Sequence, residues 1–128
     1  MRVLLDTHTF LWWVDGDPLL SLIGREVLGD KANEVYFSTA ASWEIAIKVS
    51  IGRLVLAGDL QERIADQLQI NEFHLLPITL AHTCRVSLLP FHHRDPFDRL
   101  LIAQAQLEGL VILTRDPMFL QYEVQTLW

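Results

Sequence analysis

Two short, nearly unbroken apolar runs constrain the fold most: RVLL at 2–5 and LVILT at 110–114. Neither alternates apolar with polar residues, so each reads as a strand buried on both faces. Between them lie segments of helical period. THTFLWWV (7–14) is predicted as a first helix, closed by the turn DGDP (15–18), and LLSLIGREVLGD (19–30) as a second. EVYFS (34–38) is rich in strand formers. In 39–54, Thr39 is the expected N-cap, with Ala40, Trp43, Ile47 and Ile51 at helical spacing. GDLQERIADQLQI (58–70) gives an amphipathic helix with Leu60, Ile64 and Leu68 on one stripe. FHLLPI (73–78) is a short strand, and TLAHTCRVSLLP (79–90) a helix stopped by Pro90. Residues 95–109 form the clearest helix, from Asp95 as N-cap through Pro96 to Gly109. DPMFLQY (116–122) is one or two helical turns, and EVQTLW (123–128) an edge strand. Strands separated by helices imply an α/β fold, an α/β/α sandwich with a mainly parallel central sheet. The 128 residues, without repeat or linker, are expected to form a single domain.

In such a sheet, ligands gather beyond the carboxyl ends of the strands. Asp6 directly follows RVLL, and Asp116 follows LVILT after one intervening residue. Asp98 lies in the first turn of the helix that precedes LVILT, and Glu44 lies early in the helix after EVYFS. Four acids from distant segments are therefore expected at one edge of the sheet. Clustered carboxylates raise each other's pKa unless a cation compensates. Oxygen ligands without cysteine suit Mg²⁺ or Mn²⁺, which hold phosphate oxygens and activate water for in-line attack on a phosphodiester. Zinc is disfavoured, because the sequence carries neither an i, i+4 histidine pair nor a cysteine pair.

Bland readings stand beside these. On the residues alone, Asp6 is equally well a strand-end turn residue or a helix N-cap. Glu44 can pair with Lys48 at i, i+4, a contact that contributes only ~0.2–0.5 kcal/mol on an exposed helix, or Lys48 can orient a functional Glu44. Asp95 before Pro96 is the expected N-cap arrangement, and Asp98 then falls at N3, where a carboxylate also suits the helix dipole. Asp116 before Pro117 repeats that pattern. Arg94, Arg99 and Arg115 flank the acids and read as solvated surface, ion-pair partners or phosphate contacts. His92 and His93 adjoin the acids and read as substrate contacts or, in preference, as loop decoration. Trp12, Trp13 and Trp43 read as core or interface.

LLDTHTFLWW, SWEIAIK, HHRDPFDRLLIAQA and ILTRDPMF, in that order and spacing, resemble the PIN-domain ribonucleases, especially VapC-type toxins of bacterial toxin–antitoxin pairs. The resemblance spans essentially the whole chain. It implies Mg²⁺- or Mn²⁺-dependent cleavage of RNA, a homodimer, and inhibition by an antitoxin. Position by position, it implies Asp6, Glu44, Asp98 and Asp116 as the acidic set, with Thr114 as the hydroxyl residue two before the last. Metal contact is expected first of Asp6 and Asp98, then of Asp116. Asp95 is an additional acid beside that set. A haloacid-dehalogenase-type phosphatase is discounted, since His8 stands where its second aspartate would be.

Composition limits the alternatives. The formal charge of −6 offers no basic footprint for nucleic acid, so RNA binding needs a metal or a few arginines. The single cysteine, Cys84, permits no intrachain disulfide and fits a reducing cytoplasm. Asp6 interrupts the first apolar run, unlike a signal peptide, and no apolar stretch is long enough to cross a membrane. An apolar content of 51% and a mean hydropathy of +0.25 fit either a dense core or a covered surface. Two other functions remain: a PIN nuclease of RNA processing that is no toxin, and a non-catalytic acidic α/β interaction module.

Asparagine caps a helix about as well as aspartate but carries no charge. Asp95→Asn is therefore expected to keep the fold and most metal-dependent RNA cleavage, and Asp98→Asn to keep the fold and lose cleavage. Circular dichroism and a cleavage assay on both variants check this; equal loss in both would erase the division of labour.

Overall fold

The computed structural model describes residues 1–128. Five strands, β1 (Arg2–Leu5), β2 (Glu34–Ser38), β3 (His74–Leu76), β4 (Val111–Leu113) and β5 (Thr126–Leu127), form one sheet in the order β3-β2-β1-β4-β5. Every pairing is parallel, including that of the short edge strand β5. Six helices connect them: α1 (Thr7–Asp15), α2 (Leu22–Gly29), α3 (Thr39–Ser50), α4 (Leu60–Asn71), α5 (Leu80–Arg85) and α6 (Pro96–Glu108). The chain runs outward from β1 to β3, then returns to the other side of β1 as β4. The crevice between the ends of β1 and β4 is thus the switch point of the sheet.

The apolar runs explain the two layers of core. Val3 and Leu5 of β1 pack with Phe10, Leu20, Leu28 and Ile45 on one side, while Leu4 between them packs with Leu101, Ile102 and Phe119 on the other. Ile112 and Leu113 of β4 divide in the same way. Strand period two with both faces covered requires an unbroken apolar run.

Local signals place most helix starts. Asp6, Ser21, Asp59 and Asp95 each accept a backbone N–H at the start of α1, α2, α4 and α6. Gly109 ends α6 in the left-handed region at φ 66°, where a side chain would be strained.

Several expected boundaries and faces differ. The N-cap of α3 is Ser38, not Thr39, and the helix stops at Ser50. Its buried face carries Ala40, Ala41, Glu44 and Ile45, leaving Trp43 and Ile51 exposed. The expected stripe through Trp43 fails because α3 lies across the edge of two cores, with Ala40 in one and Ala41 and Ile45 in the other. The expected helix 79–90 ends at Arg85 and tightens to a 3₁₀ turn over Val86–Leu88. Residues 117–121 are likewise 3₁₀. Leu60, Ile64 and Leu68 do share the inner stripe of α4, though only partly buried.

A buried polar chain joins α3 to α6. Ser38 Oγ accepts from the Ala40 N–H and donates to Gln104 Oε1. Gln104 Nε2 lies 3.3 Å from His82 Nδ1, and His82 Nε2 lies 2.8 Å from Glu108 Oε1. Ser38→Ala removes a cap and orphans a buried amide oxygen, so a loss of about 2–4 kcal/mol is expected. Adding Gln104→Leu should recover part of that loss, because the orphaned group goes with it. Urea denaturation of the single and double variants measures the coupling.

Candidate active site

Asp6 is the first residue beyond β1 and the N-cap of α1. Its Oδ1 accepts from the Thr9 N–H at 2.8 Å, and its Oδ2 accepts from the Thr114 hydroxyl beyond β4. The same Thr114 hydroxyl accepts from the Asp116 N–H at 3.0 Å. Asp116 Oδ1 in turn caps the following 3₁₀ turn through the Met118 N–H at 2.9 Å, leaving Oδ2 without a hydrogen bond. Asp116 thus combines the expected cap with a free oxygen.

Glu44 is buried on α3. Its Oε1 accepts from the Thr7 hydroxyl at 2.6 Å and its Oε2 pairs with Lys48 Nζ at 3.1 Å. The i, i+4 pair seen in the sequence is therefore formed, but it faces inward. Asp95 caps α6, its Oδ1 accepting from the N–H groups of Phe97 and Asp98. Asp98 stands at N3 of α6. Its Oδ2 meets His93 Nε2 at 3.2 Å and its Oδ1 has no hydrogen bond.

These carboxylates feel one another. The Asp98 carboxyl is pushed up to about 8, first by burial and then by repulsion from Asp95, Asp116, Glu44 and Asp6. Asp6 is also raised, by burial, against the opposing hydrogen bonds from Thr114 and Thr9. The structure thus brings all four expected acids, and Asp95, to one end of the sheet.

The donor set suits a hard divalent cation. It is all oxygen, Asp95, Asp98 and Asp116 each keep an oxygen without a hydrogen bond, and Lys48 is the one ammonium paired with any of these acids. No three His, Cys, Asp or Glu side chains are already gathered closely enough to enclose an ion.

Two expectations need correction. Arg99 cannot meet phosphate: it is 4% exposed. Its guanidinium donates to the carbonyls of Pro90, Val86 and Leu89 and to the Tyr122 hydroxyl. It also stacks 4.1 Å from the centre of the Phe91 ring. Position 99 lies on the inward side of α6, which a flanking-charge argument does not register. His93, expected as loop decoration, is half-buried and bridges Asp98 and Tyr122. Arg94 and Arg115 are exposed and form no ion pair, while His92 is exposed against Tyr122. Trp43 lies on the surface, edge-on to Phe97. Trp12 and Trp13 are both partly buried against the same core. Thr7 and Thr9 were not singled out. Their signal was hydroxyls one and three residues after a strand-end aspartate.

Residues 3–125 match the PIN domain family. The chain belongs to the PIN-domain family. The resemblance carried by its four sequence segments is thereby borne out. Solved structures share the PIN fold over nearly the whole chain. VapBC2 from Rickettsia felis, bound to a DNA fragment from its promoter, has a TM-score of 0.74 at 15% identity, covering 99% of this chain and 98% of that one. VapBC-1 from nontypeable Haemophilus influenzae gives 0.66 at 14%, covering 99% and 97%. FitAcB from Neisseria gonorrhoeae gives 0.59 at 20%, covering 98% and 96%. No curated protein matches the sequence. No helix of this PIN domain is long and apolar enough to cross a membrane.

The raised Asp98 carboxyl has a consequence for stability. Between the ordinary carboxylate value near 4 and about 8, the folded metal-free protein holds a proton that the unfolded chain has released. Stability should therefore be fully present below that window and fall as pH rises through it. Melting temperatures of metal-free protein from pH 5 to 9 should decline, with a flatter profile for Asp98→Asn. Equal slopes in the two proteins would contradict this assignment.

Proposed function

We propose that this protein is a Mg²⁺- or Mn²⁺-dependent endoribonuclease, acting in the cytoplasm as the toxin of a toxin–antitoxin pair, with residues 1–128 as one PIN domain. The observation that carries the reading is the approach of Asp6 beyond β1, Asp98 at the start of α6 and Asp116 beyond β4, with Asp98 Oδ1 and Asp116 Oδ2 free of hydrogen bonds. Asp6, Asp98 and Asp116 would hold the ion. Bound there, it supplies positive charge that holds phosphate oxygens and activates water for attack on the phosphodiester.

The chain's own groups set up that chemistry. Thr9 and Thr114 fix the Asp6 carboxylate from two sides, so it does not reorganise when substrate arrives. Thr7 and Lys48 fix Glu44, which completes the acidic rim. Asp95 aligns the start of α6 and so the direction of Asp98. Arg94 and Arg115 remain free to contact flanking RNA phosphates, since both are exposed and unpaired.

An antitoxin partner is supported by the family and by the VapBC and FitAcB neighbours. A homodimer is part of the same reading, on the resemblance alone. Cleavage of an RNA panel in Mg²⁺ or Mn²⁺ tests the activity. Wild type should cut, and chelation or Asp98→Asn should abolish cutting. Absence of both cleavage and any Mn²⁺-induced thermal shift would return the protein to an acidic interaction module.

A further inference from the structure

We infer that His93 is a positioning residue for Asp98, held as its Nε2–H tautomer by hydrogen bonds running through Tyr122 to the buried Arg99. The inference rests on the reading of Asp98 as a metal ligand and adds the group that aims it.

Hydrogen directions along this chain follow from which atoms can accept. Tyr122 Oη lies 3.2 Å from Arg99 Nη1 and 3.3 Å from the His93 backbone N. Neither a guanidinium nor a peptide N–H can accept, so both donate to the phenol oxygen. Its acceptor capacity is then used. The hydroxyl hydrogen has one neighbour left to go to, His93 Nδ1 at 2.7 Å. A neutral imidazole whose Nδ1 accepts carries its hydrogen on Nε2. That nitrogen lies 3.2 Å from Asp98 Oδ2.

The far end of this chain is rigid. Arg99 is buried without a carboxylate partner, and backbone carbonyls from the 86–90 segment surround its guanidinium. Those contacts also fix the segment that leads to His93. A cation against the phenol oxygen makes its hydroxyl a stronger donor, which strengthens the bond to Nδ1. At the near end, the donated Nε2–H engages Oδ2 and leaves Oδ1 of Asp98 uncommitted. A ligand carboxylate oriented by an outer donor is a usual condition of tight metal binding, and loss of such a donor typically weakens it about 10–100-fold.

Imidazole nitrogen NMR shifts of metal-free protein at pH 8.5, with His93 assigned by the His93→Gln variant, read the tautomer directly. Wild type should show His93 as Nε2–H, and Tyr122→Phe should show a mixture. Calorimetric Mn²⁺ titration gives the second readout. His93→Phe should bind about tenfold more weakly with its fold intact by circular dichroism. His93→Gln, which keeps a donor near the Nε2 position, should lose less. A wild-type Nδ1–H tautomer, or wild-type affinity within twofold in His93→Phe, overturns the inference while leaving the metal site standing. Failure of wild type to bind Mn²⁺, with the Nε2–H tautomer present, overturns the metal reading itself and the positioning role with it.

Discussion

The site depends on the buried carboxylate of Asp6. It ends β1, starts α1, and receives the hydroxyl of Thr114 from the end of β4. Thr114 then receives the backbone N–H of Asp116. Two segments far apart in sequence thus meet through one acid at the switch point of the sheet. Moving Asp6 would disturb the helix start, the seam between two strands and the placement of a second acid together. In this protein the central seam of the fold and the centre of the candidate site are the same few atoms.

The remaining acids are brought up to that centre by their helices. α3 turns Glu44 inward, and α6 presents Asp98 from its first turn. The carboxylates are held at the cost of burial, which raises Asp6 and Asp98, and of mutual repulsion, which raises Asp98 further. The fold withstands this because each acid is tied by a different local donor: Thr9 and Thr114, Thr7 and Lys48, His93, Met118. A divalent cation would relieve the repulsion that those donors resist. The same rigidity extends behind α6, where Arg99 ties the 86–90 segment and Gln104 ties Ser38 and His82.

Much of this was legible in the residues. Unbroken apolar runs marked the central strands, since burial on both faces leaves no position for a polar residue. Asp-Pro at 95–96 and Gly109 bracketed α6, because capping and the left-handed turn are local demands on residue type. Acids placed just beyond strand ends pointed to one edge of a parallel sheet. The four motif segments pointed to the PIN family.

What stayed hidden was the direction of side chains that several segments decide together. Trp43 and Ile51 fitted a helical stripe, yet the neighbours of α3 select Ala41, Glu44 and Ile45. Arg99 read as one of three flanking cations, but packing turned it inward onto carbonyls from a different segment. His93 and Thr7 gained partners in Tyr122 and Glu44, residues that local sequence does not bring near. By itself, the sequence determined the strands, the two ends of α6 and the placing of acids just beyond strand ends, because these follow from local backbone needs and from burial. Only the tertiary structure decided which cation is structural and which donor meets each carboxylate. Those choices are set by contacts between segments that meet only when the sheet closes.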